Sequence, residues 1–386
     1  MEKAHLKYQE LLNKYSQFKN QEISGRYLPK SYIRNSIAAI GEIFPVENIG
    51  SSTLGEAIET ITIGKGKLKI LAWSQMHGNE STTTKAVFDL INAFIFFPED
   101  PFLHFLKDHL SLKIIPMLNP DGARVYTREN ANGIDLNRDA LNRNEKESIL
   151  LRKEFEIFQP DFCFNLHDQR TIFSAGEFPF PATLSFLTPA MDEACSLSYS
   201  RIASMKVIAA IAKDLKEHIP QQIGRYDDAY NPNCTGDAFQ TLEIPTILFE
   251  AGHYPGDYNR EKTREYVVRA LFSGLGSIAS GSYESFRTGD YFNLPENKKL
   301  YYDVILRNAR VEGEIVDVAI QYRETLLESK ISFVPLIEKI APSLSFFGHK
   351  EIICGEKVLK SIEAQGLHEN DIVDKLLLNN EVLAIN

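Results

Sequence analysis

The run Leu68-Lys-Ile-Leu-Ala-Trp73-Ser-Gln-Met-His77-Gly-Asn-Glu80-Ser-Thr-Thr-Thr84 decides how this chain is read. Its apolar half, Leu68 to Trp73, has the length and composition of a buried strand, and the Thr-rich stretch after it opens a helix from about Thr82 to Phe96, stopped before Pro98. Between the two stands His77-Gly-Asn-Glu80. A histidine and a carboxylate three residues apart can turn two donor atoms toward one point, and a neutral imidazole with a carboxylate suits Zn²⁺. Such a pair is also common on protein surfaces. A third ligand is therefore needed before the pattern means metal.

Another apolar run, Phe162-Cys-Phe-Asn-Leu166, ends in His167. Two histidines and a glutamate from two strand ends leave the fourth tetrahedral position to water, which marks a catalytic rather than a structural zinc. That water would be the nucleophile. The carboxyl ends of strands are also where open α/β sheets build their sites. A further strand, Leu112 to Leu118, runs into Asn119-Pro-Asp-Gly122, by its chemistry an ordinary turn. Arg128 follows, and then Asn132-Gly-Ile-Asp135-Leu-Asn137-Arg138. Arginine offers planar, bidentate donors to a carboxylate and asparagine adds a directional amide, so this loop suits a substrate carrying a carboxylate. A solvated basic loop is the plainer alternative. The last strand, Pro245-Thr-Ile-Leu-Phe-Glu250-Ala-Gly252, ends in a carboxylate. Beside a zinc-bound water, Glu250 can take a proton and later hand it to a leaving amine; in isolation it reads as a loop or capping residue.

In their order and rough spacing these segments resemble the zinc metallocarboxypeptidase family, the carboxypeptidase A-like enzymes, from about Asn48 to Ser280. In Thr127-Arg-Glu-Asn-Ala-Asn-Gly-Ile-Asp-Leu-Asn-Arg138 the wording is most similar to the bacterial murein peptide amidase branch. The resemblance implies one Zn²⁺ held by His77, Glu80 and His167, with Glu250 as general base and acid. It makes Arg128 the residue that stabilises the oxyanion, Asn137 and Arg138 the grip on a terminal carboxylate, and Asp135 the partner of the far ring nitrogen of His77. The mobile tyrosine of the family falls on Tyr226 or Tyr230, and Tyr230 better matches the spacing to Thr235-Gly-Asp237. Asn79 stands where the digestive enzymes carry an arginine, so one substrate-binding charge is missing. Gly236, near the implied specificity pocket, brings neither charge nor bulk. The implied activity is hydrolysis of a peptide or amide bond next to a residue with a free carboxylate. A zinc deacylase of N-acyl amino acids, similar to desuccinylases and aspartoacylases, is the alternative within the enzyme class; a catalytically silent binding module is the alternative outside it.

The rest of the chain bounds this reading. Its 386 residues suffice for two domains, and 52 acidic against 42 basic residues, a net charge of -10, argue against nucleic acid as a partner. Cysteines 163, 195, 234 and 354 form no metal-binding pair. The charged opening Met1-Glu-Lys-Ala-His-Leu-Lys7 has no signal-peptide core, and no stretch approaches twenty apolar residues, so a cytoplasmic protein without membrane contact is expected. Leu11, Tyr15 and Phe18 at helical spacing predict an N-terminal helix on the catalytic body. Leu54 to Ile63 reads as a strand, and Ser148–Phe158, Met191–His218 and Lys262–Leu275 read as helices. Strands alternating with helices predict an α/β fold with a mixed, mostly parallel sheet flanked by helices over residues 1–285. Beyond the polar stretches Ser277–Ser282 and Pro295–Lys299, the alternation of Val316, Val318, Ile320 and Tyr322 predicts a small β-rich domain over 286–386. Oligomeric state is not legible in the sequence.

Overall fold

Successive side chains of the strand Leu68–Ser74 enter two different cores, as the two-residue period of a strand requires. In the computed structural model, which describes residues 8–363 and 366–385, Ile70 and Ala72 pack into one core with Phe88, Ile208 and Phe272, while Leu71 and Trp73 pack into another with Leu151 and Phe239. A sheet apolar on both faces must be covered on both, and helices do this here. The opening Met1–Lys7 lies outside the described residues.

The first elements are α1 (Lys30–Gly41), β1 (Val46–Ser51), β2 (Ala57–Ile63), β3 (Leu68–Ser74), α2 (Thr82–Phe96), α3 (Pro101–His109), β4 (Leu110–Ile115), α4 (Pro120–Val125) and α5 (Lys146–Phe158). Then follow β5 (Phe162–Asp168), β6 (Phe173–Ala175), β7 (Leu184–Leu187), α6 (Tyr199–Leu215), β8 (Ile223–Arg225), α7 (Thr235–Thr241), β9 (Thr246–Ala251), α8 (Glu261–Ser280) and α9 (Thr288–Phe292). Eight strands form one sheet in the order β1-β2-β4-β3-β5-β9-β7-β8. The middle four, β4-β3-β5-β9, are parallel, whereas β2 meets β4 and β7 meets β9 antiparallel. This is the expected mixed sheet flanked by helices. From β3 the chain steps to β4 on one side, and β5 lies on the other, so a crevice opens at the carboxyl ends of β3 and β5, where such sheets hold ligands.

Two predicted elements begin later than periodicity suggested. The strand expected from Leu54 starts at Ala57, because Ser52 to Glu56 make a turn: Gly55 has φ +92° and the Ser52 N–H donates to Glu56 O at 2.8 Å. The helix expected from Met191 starts at Tyr199. Cys195 sits at φ +51°, outside helical space, and Ser198 caps the true start by accepting the Arg201 N–H at 3.2 Å.

Residues 8–12 are helical, and Tyr8, Leu11, Leu12 and Phe18 are buried in the first core. The segment after them is held by its backbone carbonyls. Arg264 donates to Asn20 O and Ile23 O, Lys85 to Gly25 O, Ser81 to Arg26 O and Gln75 to Leu28 O.

The chain divides into two compact units, one of residues 1–169 and 182–297, the other of 170–181 and 298–386. The division after Asn297 falls later than the expected one at 285, because Tyr291 of α9 and Leu294 belong to the first core. Residues 170–181, which include β6, leave the first unit directly after β5. The second unit is β-rich as expected. After β10 (Asn297–Lys299) come β11 (Tyr301–Val311), β12 (Glu314–Leu327), β13 (Lys330–Ala341) and β14 (Phe347–Ile353), of which the last four form a sheet in the order β13-β12-β11-β14. Its own core contains Val304, Val316, Val318, Ile320 and Ile337, the buried half of the alternation seen in the sequence.

Candidate metal centre

Three strand ends meet at one point. Beyond β3, Gln75 adopts φ +48° and turns the chain so that His77 and Glu80 face back across the sheet end; His167 is the next-to-last residue of β5. The turn leaves no room for a side chain at Gly78, whose Cβ would lie 2.1 Å from the backbone carbon of Gly122. His77, Glu80 and His167 are all buried, and their ligand atoms lie within 4.8 Å of one another. His77 Nδ1 is 2.8 Å from Glu80 Oε1, His167 Nδ1 is 2.8 Å from Glu80 Oε2, and the two Nδ1 atoms are 3.1 Å apart. Two imidazoles and a carboxylate converging in this way are a donor set that zinc accepts. Burial favours the neutral carboxyl of Glu80, but His77 and His167 outweigh it and hold the group well below the usual carboxylate range.

Asp135 closes the far side. Its Oδ1 lies 3.0 Å from His77 Nε2, which fixes the ring so that Nδ1 points at the other two ligands. Its Oδ2 accepts Arg128 Nε at 3.0 Å, and Arg128 also donates to Glu80 Oε1 at 3.3 Å. Arg128 thus lies at the ligand set, half-exposed. Asn137 accepts the Thr235 N–H at 3.0 Å, which ties it to the start of α7, and the neighbouring Arg138 is exposed.

Glu250 pairs with His167 across the β5–β9 ladder. Its Oε2 is buried and has no hydrogen-bond partner among the described residues. Burial first, then the charges of Glu80 and Asp168, hold its carboxyl well above the ordinary range, against the opposing pull of Arg128 and Arg260. A carboxylate placed so accepts a proton readily.

The phenol of Tyr226 senses this site: burial, then Glu250 and Glu80, raise its pKa. Residues 226–234 have no regular repeat, so spacing from Thr235 does not choose between Tyr226 and Tyr230. Asp237, next to Gly236, does bring a carboxyl, which burial pushes up to about 6.

Sequence reading passed over two supports. Asn119 caps α4 by accepting the Gly122 N–H at 2.9 Å, and its amide also donates to Met76 O and Arg128 O, so the supposed ordinary turn joins the turn carrying His77 and Glu80 to the arginine loop. Asp168 caps α2 from another strand, accepting the Thr82 and Thr83 N–H groups at 2.9 and 3.2 Å, while its own N–H donates to Glu80 Oε2. The Asn-Pro pair at a strand end was a signal for the first; the second had none.

The zinc carboxypeptidase family profile matches residues 30–159, which hold His77, Glu80, Arg128, Asp135, Asn137 and Arg138. Over that segment the chain is similar to the zinc carboxypeptidase family. Among characterised proteins it is similar to carboxypeptidase SOL1 of Arabidopsis thaliana, 37% identical over 65 residues, which is 17% of this chain and 13% of that protein. The fold is that of metallo-carboxypeptidases. The enzyme from Burkholderia cenocepacia superposes with a TM-score of 0.52 at 16% identity, covering 66% of this chain and 70% of its own. Carboxypeptidase A from Helicoverpa armigera gives 0.52 at 14%, covering 71% and 81%. The Pseudomonas aeruginosa metallo-carboxypeptidase, solved with (2-guanidinoethylmercapto)succinic acid, gives 0.52 at 18%, covering 65% and 69%. No helix among the described residues is long and apolar enough to cross a membrane.

Proposed function

We propose that this protein is a hydrolase that uses one zinc ion, held by His77, Glu80 and His167, to cleave a peptide or amide bond next to a residue with a free carboxylate. The observation that carries the reading is the buried, unpartnered Oε2 of Glu250 on the strand beside His167, facing a set of three converging ligands. Zinc bound there would supply Lewis acidity and bring the pKa of water down to about 7.

The chain's own groups account for the rest. Glu250, short of hydrogen bonds and disfavoured as an anion, takes a proton from water and delivers it to the departing nitrogen. Arg128 keeps Nε on Asp135 and offers its remaining N–H groups to negative charge developing on the carbonyl oxygen. Arg138, exposed beside an Asn137 fixed by Thr235, receives the terminal carboxylate. Tyr226 is the aromatic residue that closes over the substrate, in place of the Tyr230 favoured by spacing. The Pseudomonas aeruginosa relative binds a succinic acid derivative, a ligand of the carboxylate-bearing class this clamp would take.

The clamp is testable without knowing the side-chain preference. A peptide amidated at its C-terminus leaves Arg138 unpaired, a loss of about 1.5 to 3 kcal/mol, or roughly ten- to a hundredfold in kcat/KM. Cleavage of the amide should be slower than that of the free acid by that factor, and Arg138→Ala should erase most of the difference. Equal rates on both substrates would sink this reading. Free-acid peptides, murein tripeptides and N-acyl amino acids, compared by mass spectrometry of products, distinguish the peptidase from the deacylase.

A further inference from the structure

Beyond the last pairs of the β5–β9 ladder, His167 with Glu250 and Asp168 with Ala251, the strands part: the chain after β5 leaves for residues 170–181, and that after β9 turns toward α8. The Gln169 N–H still donates to Ala251 O at 2.9 Å, and past this bond the two strand ends diverge, close to where the third ligand and the base must keep their spacing. A buried arginine sits at this fork. Arg260, 1% exposed, donates through one terminal nitrogen to Ala251 O at 2.7 Å and through the other to Gln169 O at 2.9 Å. One planar group thereby holds the backbone one residue past Glu250 and two past His167.

The placement of Arg260 is itself constrained. It occupies φ +59°, a left-handed conformation uncommon outside glycine, immediately before α8. Its N–H donates to Asp257 O, and the Asp257 carboxylate accepts the N–H groups of Glu261, Lys262 and Thr263. Its charge also acts on Asp168 and Glu250, two of the carboxylates gathered at this sheet end.

We propose that Arg260 is a positioning residue that clamps the carboxyl ends of β5 and β9 and so sets the distance between the His167 imidazole and the Glu250 carboxylate. Its kinetic consequence rests on the hydrolase reading; its effect on ligand geometry does not. The guanidinium matters because its rigid fork reaches two carbonyls in fixed directions, which an ammonium on a flexible stem cannot reproduce.

The test uses the full chain with Arg260→Met and Arg260→Lys, each loaded with cobalt(II) in place of zinc. Folding is followed by circular dichroism, ligand geometry by the visible spectrum of the cobalt, and turnover by kcat and KM on a free-acid peptide. Both variants should fold and bind cobalt, with the spectrum displaced in Arg260→Met. The kcat should fall by about ten- to a hundredfold, as misplacement on the ångström scale costs, with KM little changed and Arg260→Lys between the two. A folded Arg260→Met with the unmutated cobalt spectrum and kcat overturns the clamp. So does a loss of activity that merely follows the loss of folded protein in both variants. If Arg260→Met does not fold, the same comparison is read from Arg260→Lys. If the unmutated protein cleaves nothing, the hydrolase reading fails while the cobalt spectra still decide the clamp.

Discussion

Glu80 engages both of its oxygens, one toward His77 and Arg128, the other toward His167 and the Asp168 N–H. Glu250, on β9 and beyond β5 from β3, has an Oε2 with no hydrogen-bond partner among the described residues. Two glutamates at the same end of the sheet therefore have opposite characters: one is held as an anion by its neighbours, the other is disposed to take a proton. Replacing Glu250 by glutamine keeps the shape and removes the proposed proton carrier. Turnover should fall by a factor on the order of 10² to 10⁴ while metal content, measured by mass spectrometry of the inorganic fraction, stays stoichiometric. Near-normal turnover would place the base elsewhere.

Between residues and fold stand the short elements that carry them. The Asn119-Pro-Asp-Gly122 start of α4 is a joint in which one buried amide side chain serves the α4 N-terminus, the turn before His77 and the loop at Arg128. Asn119→Ala removes a cap of about 0.5 to 2 kcal/mol and frees two carbonyls besides. Thermal unfolding should shift down accordingly, and zinc affinity should weaken, because the turn carrying His77 and Glu80 loses its tie to the α4 side. A variant with wild-type metal affinity in competition against a chelator would make Asn119 a cap and nothing more.

On the scale of the first unit, the segment around Asn20–Leu28 is fastened to the helices behind the site by buried polar groups, and Glu261 is the acidic node of that fastening. It meets Lys19 and Lys85 at 2.7 Å, Arg264 at 3.2 Å, and the Gly25 N–H at 3.1 Å. Burial alone would raise its pKa, but Lys85, Lys19 and Arg264 overcome that and bring it down to about 2. The unfolded value is about 4.3, so between the two the unfolded chain binds more protons than the folded one, and stability rises with pH across that window. The contribution is complete above pH ~4.3 and lost as pH falls toward 2. In Glu261→Gln the melting temperature should depend less steeply on pH in this range. An unchanged acid slope would exclude Glu261 as a source of it.

The sequence by itself determined the strands, the helices and the candidate ligands, because each is announced locally. Apolar runs fix the strands, helical spacing fixes Thr82–Phe96, and His77, Glu80 and His167 stand at strand ends where a parallel sheet gathers them. The alternation around Val318 likewise announced the β-rich second unit. Only the tertiary structure decided what depends on partners distant in the chain. Tyr226 lies under the influence of Glu250, which an irregular segment with no periodicity does not announce. Asp168 and Asn119 act through backbone groups of other elements, and such bonds leave no mark in the residues that receive them. Arg260 stands before a helix start like many another polar residue, and only the meeting of β5 and β9 places two carbonyls within its reach. Local pattern names the groups that do chemistry; what holds them at working distance is long-range backbone geometry, which pattern does not encode.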